Sequence, residues 1–103
     1  GNVIGQRDLL ERALRINEQE YGPDHRAVAN TVLNLGNVYG FLGEPKRKHD
    51  LLLRALHIKQ REFGREHVEV AKAYVSLGNS CGDLGRVQEQ RELLECALRI
   101  QEK

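Results

Sequence analysis

Leu35-Gly36-Asn37-Val38-Tyr39-Gly40-Phe41-Leu42-Gly43 returns 42 residues later in this chain as Leu77-Gly78-Asn79-Ser80-Cys81-Gly82-Asp83-Leu84-Gly85. The same offset relates Ala-Leu-Arg-Ile at 13–16 to Ala-Leu-His-Ile at 55–58 and to Ala-Leu-Arg-Ile at 97–100. Self-similarity at a fixed period of a few tens of residues is typical of a solenoid, in which each unit buries its apolar face against its neighbours. The chain is therefore predicted to be a repeat array.

Apolar residues spaced three and four apart predict five amphipathic helices. The helices are expected at about 4–20, 24–42, 45–62, 66–84 and 87–103. We call the two that contain the Leu-Gly-Asn segments the A helices and the other three the B helices, so that the order is B, A, B, A, B. Connections this short make consecutive helices antiparallel.

Glycine, proline and aspartate mark the ends of these helices. Gly22 can take the left-handed conformation that ends a helix, and Pro23 cannot continue one. Asp24 is then predicted to cap the next helix, because its carboxylate can accept from free backbone amides. Gly43 and Gly85 are expected to end the two A helices.

Composition limits the functions that are open to the chain. Of its 103 residues, 40% are hydrophobic, and 16 basic and 15 acidic residues are mixed along the sequence to a net charge of +1. No basic patch predicts binding to nucleic acid or to an anionic membrane surface, and no apolar run is long enough to span a bilayer. We expect one soluble array, and the absence of Met suggests a piece of a longer protein.

Cys81 and Cys96 have no CxxC or CxxH spacing and fall on positions that read as helix core. The sequence therefore predicts two reduced, buried thiols. Reduced thiols favour an intracellular compartment, and we expect a cytoplasmic protein.

Four glycines lie inside the A helices, where each destabilises the helix by about 1 kcal/mol relative to alanine. Gly36 and Gly78 are predicted to let the partner helix approach closely, opposite Ala55 and Ala97. For Gly40 and Gly82 two interpretations stay open at this point: close packing of neighbouring A helices, or room for a bound peptide.

These residues resemble the tetratricopeptide repeat, whose A helix carries Leu-Gly-x-x-Tyr and whose B helix carries Leu and Ala at fixed offsets. The matching positions are Leu35, Gly36, Tyr39, Leu52 and Ala55 in one unit, and Leu77, Gly78, Leu94 and Ala97 in the next. The 42-residue period and the Tyr-Gly-Pro-Asp-His connector are similar to the long-repeat subclass found in kinesin light chains. Cys81 departs from the pattern by replacing the aromatic residue, and Lys48 and Gln90 depart from it where alanine is preferred.

The resemblance implies an all-α, right-handed α-solenoid of antiparallel helix pairs. Its units would be a half repeat at 1–22, a repeat at 23–64 and a second repeat at 65–103. It also implies a concave groove, lined by the A helices, that binds a peptide or a partner helix. The residues implied on the groove side are Asn30, Leu33, Asn34, Asn37, Gly40, Phe41, Lys72, Val75, Ser76, Asn79, Gly82 and Asp83.

Asparagine is chemically suited to such a groove, because its carboxamide offers both a donor and an acceptor to a peptide main chain. Asn34 and Asn37 share one helix face, and Asn37 recurs as Asn79. The alternative is that these side chains bond to an adjacent helix and bind no ligand.

No residue set for catalysis, a metal or a cofactor can be read from the sequence, so we predict neither an enzyme nor a metalloprotein. His25 and His67 recur beside helix starts, where a structural role is expected, and His49 and His57 are expected to be exposed. Lys46-Arg47-Lys48 is interpreted as a solvated first turn of a helix rather than a localisation signal.

The alternative to a binding module is a structural spacer or a self-assembling element whose groove has no ligand. Apolar residues on the first and last helices predict a homo-oligomer formed through uncapped ends. These residues are Val3, Ile4, Leu9 and Leu10 at one end, and Leu93, Leu94, Leu98 and Ile100 at the other.

Overall fold

The computed structural model describes residues 2–102, and these residues form five α-helices with no β-strand among them. The helices are α1 (Asn2–Tyr21), α2 (Arg26–Phe41), α3 (Pro45–Phe63), α4 (Val68–Asp83) and α5 (Val87–Gln101). This confirms the predicted all-α class, the five helices and their order. Gly1 and Lys103, the ends of the predicted array, lie outside the described residues.

The helices form a right-handed solenoid in which close backbone packing within residues 2–102 joins only consecutive helices. Two core clusters hold them together. The first contains Val28, Ala29 and Val32 of α2 with Ala55 and Ile58 of α3. The second contains Leu52, Leu56, Val70, Ala73 and Leu77. Leu33 packs against both clusters and so joins the two repeats.

Each turn between helices contains a glycine with positive φ, a region that is strained for other residues. The values are +87° at Gly22, +77° at Gly43, +85° at Gly64 and +74° at Gly85. These glycines are evenly spaced along the chain, at half of the sequence period. The left-handed conformation predicted for Gly22 is confirmed, and the A helices end next to Gly43 and Gly85 as expected.

Histidine, not aspartate, caps the two A helices. The Nδ1 atom of His25 accepts from the backbone N–H of Ala27 at 3.0 Å, and Nδ1 of His67 accepts from that of Glu69 at 3.0 Å. The imidazole rings also stack on Tyr21 and Phe63 across the connectors. The structural role predicted for the two histidines is therefore confirmed.

The prediction that Asp24 caps α2 is wrong. Its carboxylate instead accepts from Nη1 of Arg61 at 2.8 Å, in a pair where both side chains are exposed. The ring of Tyr21 explains why His25 rather than Asp24 is the cap, because it stacks on His25 and holds the imidazole at the start of α2.

Gly36 and Gly78 do allow close approach of the following B helix, as predicted. A Cβ atom at Gly36 would lie 3.4 Å from Leu52 and 3.5 Å from Leu51, and one at Gly78 would lie 3.1 Å from Leu94. The predicted point of approach is wrong, however. It lies one turn before Ala55 and Ala97, at the level of Leu52 and Leu94.

Gly40 and Gly82 have a contact that neither of the two interpretations includes. A Cβ atom at Gly40 would lie 2.7 Å from Cδ of Lys48, and one at Gly82 would lie 2.7 Å from Nε2 of Gln90. Lys48 and Gln90 are the residues that replace the alanine of the repeat pattern. Each glycine therefore makes room for a long side chain that crosses it from the B helix of its own repeat.

Two further expectations about burial are wrong. His49 is buried, with only 6% of its surface exposed, because α4 and α5 converge on it. Cys81 is buried as predicted, whereas Cys96 is half-buried and accepts from Nη2 of Arg99 at 3.2 Å. Both thiols are free, and within residues 2–102 no helix is long and apolar enough to cross a membrane.

Candidate functional site

The predicted groove residues lie on the open faces of α2 and α4. Leu33, Val75 and Ser76 are half-buried. The others are exposed: Asn30, Asn34, Asn37 and Phe41 on α2, and Lys72, Asn79 and Asp83 on α4. The two helices therefore present polar side chains to solvent beside the Leu33 contact that joins the repeats.

Asn37 and Asn79 occupy the same register, one repeat apart, and both are exposed. Neither carboxamide has a hydrogen-bond partner among residues 2–102. The alternative in which they bond to an adjacent helix therefore has no support in the structure. Each offers a free donor and a free acceptor at equivalent points of successive A helices.

An apolar hollow of about 160 Å³ adjoins Asn37. Val3 and Gln6 of α1 line one side, and Asn37, Val38 and Phe41 of α2 line the other. Phe41 is 86% exposed, an unusual state for a large aromatic side chain. This hollow could accept one apolar side chain of a ligand whose main chain meets Asn37.

The equivalent place in the second repeat is polar. One period further on, Asp83 stands in the position of Phe41, and Nζ of Lys48 lies 3.7 Å from its carboxylate. The open surface therefore changes from apolar beside Asn37 to charged beside Asn79.

A hydrogen-bonded set that the sequence analysis did not predict ties three helices together. The Tyr39 hydroxyl donates to Glu11 of α1, and Nη1 of Arg47 on α3 donates to the Tyr39 oxygen at 3.3 Å. The bond to Glu11, followed by burial, raises the pKa of Tyr39 above its ordinary value. Tyr39, at the aromatic position of the repeat pattern, is therefore a core residue whose hydroxyl also links α1 and α3 by hydrogen bonds.

A second missed set lies between α3 and α4. The ammonium of Lys59, whose side chain is only 8% exposed, is 3.1 Å from Oε1 of Glu69. Lys72 binds the other carboxylate oxygen at 3.1 Å. Hydrogen bonds from Lys59 and then Lys72 lower the pKa of Glu69. The repeat pattern could not reveal this pair, because one period earlier Lys59 aligns with Asn17 and Glu69 with Ala27.

Comparison with known proteins gives a consistent result. A sequence model of the tetratricopeptide repeat matches residues 1–27 and 28–69. The crystal structure of BtubC (BKLC) from P. vanneervenii has a TM-score of 0.92 and 25% identity, covering 99% of this chain and 40% of that chain.

Two crystal structures of nearly identical TPR-like repeats of the kinesin light chain type, from Podosopora anserina, are also similar. They have TM-scores of 0.90 and 0.89, 26% identity, and cover 100% of this chain and 49% of that chain. The chain thus spans two fifths to about half the length of these solved structures. No curated protein sequence matches it.

Proposed function

Because this chain belongs to the tetratricopeptide repeat family, we propose that it is a non-catalytic module that binds a peptide or partner helix in the groove of α2 and α4. The observation that carries the proposal is the pair of exposed carboxamides of Asn37 and Asn79, which share one register and have no hydrogen-bond partner among residues 2–102. Their donors and acceptors can meet successive points of an extended main chain. An adaptor or scaffold in the cytoplasm is the setting that we propose for it.

The hollow beside Asn37 supports a ligand with one large apolar side chain. Phe41 exposes apolar surface that folding leaves in water, and burying such surface yields about 25 cal/mol per Å². The Lys48–Asp83 pair beside Asn79 would instead meet polar groups. We propose that the ligand runs from an apolar residue at α2 to polar residues at α4.

Replacing both Asn37 and Asn79 by alanine is expected to weaken peptide binding at least about tenfold while changing the free energy of unfolding by less than about 1 kcal/mol. The physical reason is that both side chains are exposed and bond to no described residue. A peptide selected from a display library on the native chain, titrated by fluorescence anisotropy, provides the measurement.

The matched control replaces two exposed carboxamides on B helices, Gln19→Ala with Gln101→Ala, and should leave the affinity unchanged. Native affinity in the Asn37→Ala/Asn79→Ala variant would remove these residues from the site. If no peptide is selected at all, the groove has no peptide ligand and the alternative described next gains weight.

Self-assembly is the second candidate, and an apolar stripe on α5 favours it. Val87, Leu94 and Leu98 are 69%, 37% and 53% exposed on one face. Their counterparts on α3 include Leu52 and Leu56, which α4 covers to 1% and 4% exposure. The α5 face is therefore built like a face that an A helix covers, and we propose that a second copy can cover it.

Sedimentation from about 5 to about 500 µM is expected to show concentration-dependent association, since by mass action the fraction of oligomer rises with the protein concentration. The Leu9→Lys/Leu94→Lys variant should stay monomeric, because both residues are exposed on end helices and the lysines would have to be buried unpaired. A single monomeric species of the native chain at every concentration contradicts the idea. An oligomer that persists in the variant places the contact elsewhere.

A further inference from the structure

Three side chains of metal-ligating type converge where α3, α4 and α5 meet. They are His49 of α3, Cys81 of α4 and Glu89 of α5, and one donor atom of each lies within 4.8 Å of the others. The Cys81 Sγ is 4.0 Å from Nδ1 of His49 and 3.8 Å from Oε2 of Glu89. His49 and Cys81 are 6% and 0% exposed, whereas Glu89 is exposed and borders solvent.

None of these three residues is repeated in the chain one period earlier. One period earlier the same three positions hold Arg7, Tyr39 and Arg47. There Arg47 donates to the Tyr39 hydroxyl, so that two of these three positions are in contact in both repeats. One period later these two arginines and this tyrosine, none of them a common metal ligand, are replaced by His49, Glu89 and Cys81.

We propose that His49, Cys81 and Glu89 bind one divalent transition metal ion of the zinc class. Imidazole, thiolate and carboxylate are the ligands that zinc takes, and three protein ligands with a fourth, open position are a common zinc arrangement. A thiolate disfavours Mg²⁺ and Ca²⁺, which prefer oxygen ligands. The exposed side of Glu89 leaves the fourth position to water.

The geometry needs only small side-chain movements. Tetrahedral zinc, with bonds of about 2.3 Å to sulfur and about 2.1 Å to nitrogen or oxygen, places donor atoms roughly 3.5 Å apart. The two separations from Sγ, 4.0 and 3.8 Å, are slightly longer, and the donor atoms of His49 and Glu89 lie within 4.8 Å of each other. A bound ion would draw the three side chains together.

The charges and protons balance in this arrangement. The Cys81 thiol loses its proton to solvent as the metal–sulfur bond forms, and neutral His49 and ionised Glu89 complete the set. Thiolate and carboxylate together then neutralise the ion. Without metal, burial and the nearby Glu89 carboxylate raise the pKa of Cys81, so the thiol is protonated.

Cobalt(II) is the probe for this site, because its spectrum reports both thiolate ligation and coordination number. Titrating the whole chain, without a histidine tag and under reducing conditions, should give a thiolate-to-cobalt charge-transfer band and the strong visible bands of four-coordinate Co²⁺. The bands should saturate at one ion per chain. Zn²⁺ should abolish them, since zinc binds such sites more tightly than cobalt.

Glu89→Gln tests the site without disturbing the core, because this side chain is exposed. It should weaken Co²⁺ binding at least about tenfold, since even the loss of a residue that only supports a ligand weakens metal sites by about 10–100-fold. The matched controls, Cys96→Ser and His57→Gln, remove the other thiol and an exposed histidine and should leave the spectrum and the affinity unchanged.

A second variant installs the set of the preceding repeat, His49→Arg with Cys81→Tyr and Glu89→Arg. It should fold, as shown by its circular dichroism, and lose the cobalt bands. The proposal is overturned by a weak, six-coordinate Co²⁺ spectrum in the native chain. It is equally overturned by bands that survive in the triple variant or disappear in Cys96→Ser, because the metal would then lie elsewhere.

Discussion

Leucine at position 36 is expected to lower the free energy of unfolding by about 3 kcal/mol, although leucine forms helices better than glycine by nearly 1 kcal/mol. A Cβ atom there already touches Leu52, Leu51 and the backbone oxygen of Lys48 at 3.4 to 3.5 Å. The remaining carbons of leucine would enter the space between α2 and α3 that these groups fill. Packing and helix propensity thus predict opposite signs, and packing should dominate.

Two control variants separate these effects in urea denaturation. Gly36→Ala adds only the Cβ atom, in ordinary contact, and should change stability by less than about 1 kcal/mol. Gly5 lies in α1, and a Cβ atom there would have nothing within 4 Å. Gly5→Leu should therefore stabilise the chain by up to about 1 kcal/mol, because leucine is the better helix former. A Gly36→Leu variant that is as stable as Gly5→Leu would show that the α2–α3 interface has room at this level.

Removing Glu69 is expected to destabilise the protein by about 2–3 kcal/mol, because it leaves the buried ammonium of Lys59 without an anion. Lys59 is 8% exposed and 3.1 Å from this carboxylate. The companion variant Glu69→Ala/Lys59→Met replaces the stranded charge by an apolar chain of similar length and should recover at least half of the loss. Thermal and urea unfolding of the three proteins measure the difference.

Glu95→Ala is the matched control, since Glu95 pairs with Arg91 at 3.2 Å on the exposed face of α5. It should change stability by less than about 0.5 kcal/mol, as exposed ion pairs do. If Glu69→Ala behaves like this control, the Lys59 ammonium reaches water without its partner and the interior is open at that point.

Acid should weaken the effect of Glu69→Ala. In the folded protein the pKa of Glu69 lies below its ordinary value of 4.5. The stabilisation by this carboxylate is therefore complete above the unfolded pKa and is lost as the pH falls through the folded one. The difference between the native chain and Glu69→Ala should thus shrink once the pH falls below 4.5.

Repetition explains why the fold could be predicted so fully. Two copies of one helix face specify the core stripe, and the glycine after each copy ends the helix. The interfaces were predicted less well, because their details depend on residues that depart from the repeat. For example, the long side chain of Lys48 occupies the space that Gly40 leaves open, and the sequence pattern alone does not connect the two positions.

The His49–Cys81–Glu89 set could not be found by motif spacing, since its members lie on three helices and Cys81 is 32 residues from His49 and 8 from Glu89. A position-by-position comparison of the repeats carries the signal, because it aligns them with Arg7, Tyr39 and Arg47. The histidine caps were missed for another reason. Asp24 is the stronger capping residue by type, and only the stacking of His25 on Tyr21 decides between them.

The even spacing of the four turn glycines bears on how such an array can evolve. A turn recurs at every half period. A duplication or deletion of one full period that starts at any turn therefore leaves A and B helices alternating, so that each helix still packs against helices of the other kind. A change of half a period would instead set two A or two B helices side by side, with faces that do not match. Whole repeats are therefore the unit by which a gene can lengthen or shorten this chain without having to evolve a new interface.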